Sequence, residues 1–262
     1  MAVTVENIGL RRRIARNETL YGVFVDAPTI SHVETLAIAG FDYVILDQEH
    51  GHINAESLVH LVSACDHFGI ASLVRIPTLA SWLIGPALDC GASGVQVPFV
   101  SSAEEARTAV AAARFAPDGE RGVHVFLRAG QYGALGAEGF FKVCNENQAV
   151  VLQVEGTQGV ENLEEIAAVP GYDSIFIGPY DLSQSLGVPG QTGHSSVVEV
   201  IERTVDLCKQ RGKVVGTFVN TPEDAAKWAQ RGVQMVSVSC DTNIFYRACT
   251  ELRQAITEAT EA

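Results

Sequence analysis

Lysine is scarce in this chain of 262 residues: only Lys142, Lys209, Lys213 and Lys227 are present. With arginine, the basic residues number 18 against 31 acids, a net charge of −13. A surface so acidic repels phosphate backbones and anionic headgroups, so neither nucleic acid nor a membrane surface is expected as a partner. Long hydrophobic runs are missing too. No stretch of about 18 apolar residues occurs, which excludes a transmembrane helix. The opening segment, residues 1–16, carries Arg11, Arg12, Arg13 and Arg16 and lacks the apolar run of a signal peptide. Glu6 and the i,i+4 pair Leu10 and Ile14 suit an ordinary first helix, and a cytoplasmic location is expected. The six cysteines, Cys65, Cys90, Cys144, Cys208, Cys240 and Cys249, include no CxxC or other close pair. They read as reduced thiols rather than as disulfides or a nucleophile motif. Linkers and low-complexity segments are also lacking, so residues 1–262 are expected to form one domain.

What is present is a repeat of apolar run, polar turn and amphipathic stretch. Strand-like runs fall at residues 20–25, 43–47, 72–75, 94–97, 150–154, 174–177, 214–219 and 235–238. They are short, apolar and mostly rich in β-branched residues, as buried parallel strands are. Helix-like stretches fall between and after them, at 31–39, 55–68, 79–90, 103–114, 160–168, 196–211, 222–231 and 242–260. Acids follow Ser102 and Thr221 at two helix entries, and Gly40, Gly69, Gly91, Gly212 and Gly232 follow helical stretches, where a left-handed residue is often needed. Eight strands alternating with eight helices predict a (β/α)8 TIM-type barrel. An open doubly wound sheet is the alternative, weakened by the strand count and by the lack of a GxGxxG after the first strand. Residues 115–148 are too long for a plain connection and read as a Gly-rich functional loop or lid, or else a surface insertion.

In such a barrel the chemistry sits at the C-terminal ends of the strands. Strand two ends at Asp47-Gln48-Glu49-His50, strand three at Arg75, strand five at Gln153-Val154-Glu155 and strand six at Gly178-Pro179-Tyr180-Asp181. The opposite ends show no comparable cluster. Glu155 and Asp181 on adjacent strands repel one another unless a cation lies between them. Two protein oxygens plus water suit Mg²⁺ or Mn²⁺. Either acid could instead cap a helix or pair with an arginine. His50 is the natural general base, with Asp47 as its orienting group; a structural hydrogen bond is the plainer role. Arg75 suits an ion pair, oxyanion stabilisation or both. His52 is a metal ligand or a solvated loop residue. No lysine falls at the C-terminal end of a strand, which disfavours a Schiff-base mechanism. The loops after strands seven and eight contain no glycine, so neither is a phosphate cradle.

Together, Asp47-Gln48-Glu49-His50, Val74-Arg75, Val97-Pro98, Arg121-Gly122-Val123, Gln153-Val154-Glu155 and Ile177-Gly178-Pro179-Tyr180-Asp181-Leu182-Ser183 resemble the HpcH/HpaI aldolase family, over about residues 20–256. The resemblance implies a class II pyruvate aldolase, akin to 4-hydroxy-2-oxoheptanedioate and 2-dehydro-3-deoxyglucarate aldolases, with a divalent cofactor (Mg²⁺, Mn²⁺ or Co²⁺) held by Glu155 and Asp181. It implies His50 with Asp47 as the acid/base dyad, Glu49 on water at the metal, and Arg75 at the keto oxygen. It implies Gln153 and the N–H groups near Gly178 and Tyr180 on the pyruvate carboxylate. Asp89 matches an acid that reaches a neighbour's active site, in a trimer or hexamer whose last helix, 242–260, packs on another subunit. Gln48 stands where the family commonly has Gly, Gly51-His52 where it has Ala-Pro, and Gly156 where Thr often follows Glu155. These departures bear on the aldehyde pocket, which residues 115–148, Phe218 and the neighbour's Asp89 are expected to shape. The expected reaction is reversible cleavage of a 4-hydroxy-2-oxo acid to pyruvate and a small aldehyde. An oxaloacetate-type decarboxylase or another carbon–carbon lyase using the same enolate, as in macrophomate synthase-like relatives, is the alternative. A keto-acid-binding sensor is the non-enzymatic one.

Overall fold

The computed structural model describes residues 9–261. Its eight strands are β1 (Leu20–Val25), β2 (Tyr43–Asp47), β3 (Ala71–Arg75), β4 (Gly94–Val97), β5 (Ala149–Val154), β6 (Ser174–Ile177), β7 (Val214–Val219) and β8 (Met235–Cys240). All neighbours pair in parallel, and β1 also pairs with β8, so the sheet closes. This is a (β/α)8 TIM-type barrel.

Alternation along the strands makes two cores. Leu20, Phe24, Tyr43, Ile45, Ala71, Leu73, Ala149, Val151, Phe176, Val214 and Met235 fill the barrel interior. Leu10 and Ile14, from the helix Leu10–Ala15, join them and close the end where the strands begin. Residues of the other parity, such as Val23, Val44, Leu46, Val74, Val95 and Ile175, face the surrounding helices. Gly22 leaves room for the buried ring of Tyr43, which a Cβ at that position would strike. The Tyr43 hydroxyl finds a partner in Ser237 Oγ at 2.9 Å, so the polar end of this ring is not stranded in the interior.

Several helix entries are set by their caps. Asn54 accepts the Ser57 N–H at 2.9 Å and opens the helix Ala55–Phe68, which Gly69 ends at φ 76°. Ser102 and Thr221 accept the N–H groups of Glu105 and Asp224.

Four expectations need correction. Residues 115–148 are not simply a loop: they hold a 3₁₀ segment, Arg128–Gly133, and a helix, Gly136–Asn147. Phe140 and Cys144 on that helix pack with Phe115 and Ala129 in a small separate core, which anchors the segment. The stretch 160–168 is two short helices, Thr157–Glu161 and Leu163–Ala167, meeting at Asn162. A helix, Pro179–Ser185, comes directly after β6, begun by Pro at its first position. Finally, the ends where the strands begin are not free of charge clusters. Arg114 is 2% exposed and reaches the Gly171 carbonyl and, at 2.8 Å, Asp173, which Arg11 also holds at 2.7 Å. These cations are paired with carbonyls and one carboxylate, as burial requires.

No helix among the described residues is long and apolar enough to cross a membrane. The last helix, Asp241–Glu261, buries only Asp241 and leaves Phe245, Tyr246, Leu252 and Ile256 exposed.

Candidate active site

At the C-terminal mouth the interior parity runs on past the apolar layers and turns polar. It continues from Phe24 to Asp26, from Ile45 to Asp47, from Leu73 to Arg75, from Val151 to Gln153 and Glu155, and from Phe176 to Gly178. Phe24, Asp26, Asp47, Arg75, Gln153, Glu155, Phe176 and Gly178 line one cavity of about 240 Å³, together with His50, Pro179, Tyr180, Asp181, Phe218 and Cys240. Cys240 arrives by a bulge. Gly22 pairs with Ser237 and Phe24 with Cys240, so β8 carries one more residue than β1 between those partners. Ser239, at φ 61°, absorbs the extra residue and turns the Cys240 side chain toward the cavity.

Among the described residues, Arg75 is the only arginine or lysine lining the cavity. Its Nε and Nη2 donate to the two oxygens of Asp47 at 2.8 and 2.7 Å. Its Nη1 stands 3.1 Å from Glu49 Oε2, in ion-pair range, although that buried oxygen accepts no hydrogen bond. The guanidinium lies 4.8 Å from the ring centre of Phe24, which shields one face. Asp47, 1% exposed, also accepts the backbone N–H groups of Glu49 at 3.0 Å and His50 at 3.3 Å. It therefore positions His50 through the turn, while its carboxylate is engaged by Arg75. The His50 ring lies at the exposed rim of the cavity.

Glu155 is 1% exposed and has no basic partner among the described residues. Its Oε1 accepts the N–H of Phe99 at 3.0 Å, and its Oε2 accepts the Gln153 amide, whose own oxygen is held by the amide of Gln96. Phe99 is held at φ 52°, a left-handed conformation that costs a bulky residue energy and aims its N–H at the carboxylate. Gly178 is required here, because a Cβ would strike Glu155 Oε2. Asp181 sits in the first turn of Pro179–Ser185. Tyr180 packs on Phe218 at 5.9 Å and donates to Asn220 at 3.2 Å.

Burial pushes the Glu155 carboxyl up to about 7; its hydrogen bonds oppose this, while Asp181 and Glu49 add to it. Burial also lifts Glu49 to about 7, against Arg75 and with Asp47 and Asp181. Asp26 is raised by burial and by Asp241 and Asp47. Acids that raise one another in a cavity with one committed arginine form a site suited to added positive charge. Glu155 and Asp181 fit a divalent cation that keeps several waters. Among the described residues no group of three or more His, Cys, Asp or Glu is arranged to hold a metal ion.

Of the residues expected from the sequence, Asp47, His50, Arg75, Gln153, Glu155, Gly178, Tyr180 and Asp181 share this cavity, with Glu49 behind Arg75. Asp89 does not line it. It ends the helix Ser81–Asp89 and pairs with Arg121 at 2.5 Å. His52 is exposed and outside the cavity. Phe24, Asp26, Gln96, Phe99, Phe176 and Cys240 were not read from the sequence. Strand parity carried the signal for Phe24, Asp26, Gln96 and Phe176. Phe99 and Cys240 depend on a left-handed residue and a bulge, which leave no such mark.

A family model described as HpcH/HpaI aldolase/citrate lyase matches residues 20–248. The 2-dehydro-3,6-dideoxy-6-sulfogluconate aldolase of Pseudomonas putida is 34% identical over 93% of this chain and 94% of its own. The 5-keto-4-deoxy-D-glucarate aldolase of Klebsiella pneumoniae is 36% identical over 85% of this chain and 86% of its own. A crystal structure of an HpcH/HpaI aldolase/citrate lyase family protein from Burkholderia cenocepacia superposes with a TM-score of 0.89 at 34% identity, over 96% of this chain and 98% of that one.

Proposed function

The chain belongs to the HpcH/HpaI aldolase/citrate lyase family and is a carbon–carbon lyase of the aldolase kind; from that premise we propose that it cleaves and forms 4-hydroxy-2-oxo acids, with pyruvate and a small aldehyde as partners. The observation that carries this reading is the buried Glu155 carboxylate, without a basic partner among the described residues, sharing one cavity with Asp181, Arg75 and His50. Glu155 and Asp181 would hold a divalent ion, Mg²⁺, Mn²⁺ or Co²⁺. Bound there, the ion supplies the positive charge that polarises the keto group.

The chain's own groups do the rest. Arg75, held rigid by Asp47, donates to the keto oxygen as negative charge develops on it. Gln153 and the N–H groups near Gly178 and Tyr180 orient the pyruvate carboxylate. His50 takes the proton from the 4-hydroxyl as the C3–C4 bond breaks, and a proton from solvent at the cavity mouth then reaches C3 of the enolate to give pyruvate. In condensation C3 loses a proton and His50 returns one to the new alkoxide. Asp47 fixes the turn that presents His50, and Glu49 orders water beside Arg75. Phe24, Phe176 and Phe218 form the apolar wall that limits water around the enolate.

Loss of carbon dioxide from oxaloacetate reaches the same enolate, so it is kept as the second reading. It has no hydroxyl proton to remove, and His50 separates the two. His50→Gln is expected to lower retro-aldol cleavage by about 10²–10⁴-fold, read by a coupled pyruvate assay, while oxaloacetate decarboxylation falls much less. Equal losses in both reactions would sink the assignment of His50 to the hydroxyl.

The same proposal makes the protein a cytoplasmic homo-oligomer. Trp82, Phe126 and Tyr132 are exposed around the groove that holds Asp89, and the last helix exposes Phe245, Tyr246, Leu252 and Ile256. Neighbouring copies cover these faces, exchange the last helix and bring Asp89 to an adjacent cavity. Sedimentation equilibrium is expected to give the mass of three or six chains; a monomer at micromolar concentration would rule this out.

A further inference from the structure

The cavity has one carboxylate that the pyruvate half of the reaction does not use. Asp26 continues the interior parity of β1, and β1 lies four strands from β5 around a closed ring of eight, so Asp26 stands across the mouth from Glu155. Its backbone is clamped on both sides. The N–H of Asp26 donates to Asp241 Oδ1 at 3.0 Å, and its carbonyl accepts the His52 N–H at 2.9 Å. With Cys240 from the bulged β8 it forms the wall opposite Glu155, and Phe218 from β7 lies against Tyr180 at the edge of that wall.

Charge on this wall decides what can sit against it. Four carboxylates line the cavity, from Asp26, Asp47, Glu155 and Asp181, with Arg75 and His50 as the only basic side chains among the lining residues. Arg75 is committed to Asp47. A divalent ion on Glu155 and Asp181 offsets those two, and pyruvate brings a carboxylate of its own. Among the lining residues only His50, which the reaction uses on the hydroxyl proton, is left to face a second anionic group. A carboxylate such as Asp26 is acceptor-only, and hydroxyl groups are the donors it can use.

Resting on the aldolase reading above, we infer that Asp26 selects the aldehyde: it accepts hydrogen bonds from the hydroxyl groups of an uncharged hydroxyaldehyde and repels aldehydes that carry a carboxylate or sulfonate.

The test measures kcat/KM for condensation of pyruvate with glycolaldehyde and glyceraldehyde, and with succinic semialdehyde, on the purified enzyme loaded with Mn²⁺. Wild type is expected to favour the hydroxyaldehydes by about tenfold or more, the scale of one like-charge contact in a half-exposed site. Asp26→Asn and Asp26→Ser are expected to shrink that ratio by about tenfold. Because the ratio compares two aldehydes on one preparation, any loss of folded or metal-loaded enzyme cancels. A wild-type preference for succinic semialdehyde, or a ratio that neither variant moves, overturns the inference. Deuterium exchange into the methyl group of pyruvate by the wild type separates the two levels. No exchange overturns the aldolase reading itself; exchange with an unmoved ratio overturns only the role of Asp26.

Discussion

Arg75→Ala is expected to remove enolate formation and to weaken the fold at once. Loss of a preorganised donor at a developing oxyanion costs about 10²–10³-fold in rate, to be read as deuterium exchange into pyruvate. The structural cost has a separate origin. Asp47 is 1% exposed, and its two strongest partners are the Nε and Nη2 of Arg75. Removing one side of a buried pair leaves an uncompensated charge, worth about 3–5 kcal/mol, to be read in urea melts. Arg75→Lys keeps the charge but loses the two-pronged geometry, so it is expected to regain stability more than rate. The double variant Asp47→Asn with Arg75→Met removes both charges and is expected to recover much of the stability with none of the exchange. Full exchange in Arg75→Ala would end the claim that this guanidinium stabilises the enolate.

Glu155→Gln should cost more than about a hundredfold in metal affinity, since even groups that only support a ligand cost about 10–100-fold. Mn²⁺ is expected to raise the melting temperature of the wild type and leave the variant unmoved, with aldol activity lost in parallel. The pH dependence of the metal-free protein provides an independent sign. Burial raises Glu155 from the ordinary 4.5 to about 7, and Glu49 likewise. An acid whose pKa is higher when folded binds its proton more tightly in the native state. Its contribution to stability is whole below about 4.5 and is lost as pH rises through about 7. The metal-free wild type is therefore expected to melt lower at about pH 8 than at about pH 5, and Glu155→Gln to flatten that slope. The divalent ion, which binds the deprotonated form, should reverse it and bind more tightly as pH rises. A wild type whose melting temperature ignores both metal and pH would contradict the assignment of Glu155.

Much of this site was legible in the order of residues alone. The eight strand-like runs correspond to the eight strands to within two residues at either end, because buried parallel strands are near-continuous apolar segments. Once the strands are placed, parity alone points Asp47, Arg75, Gln153 and Glu155 into one mouth. The same parity pointed Asp26 inward, but an acid at the end of the first strand had no partner nearby in the sequence to suggest a role.

What the chain determined by itself is therefore the barrel and the chemical inventory at its mouth, since both arise from the two-residue period of strands and the short turns after them. Tertiary structure decided the pairings. Asp47 engages Arg75 because β2 and β3 align in register at those two residues. Glu155 is reached by the N–H of Phe99 and by Gln153 because the left-handed Phe99 turns the chain toward it. Cys240 enters the cavity because a bulge at Ser239 shifts β8 against β1. Register, bulges and barrel closure are properties of strands side by side. They are fixed by contacts between segments far apart in the chain, where no local pattern of residues can record them.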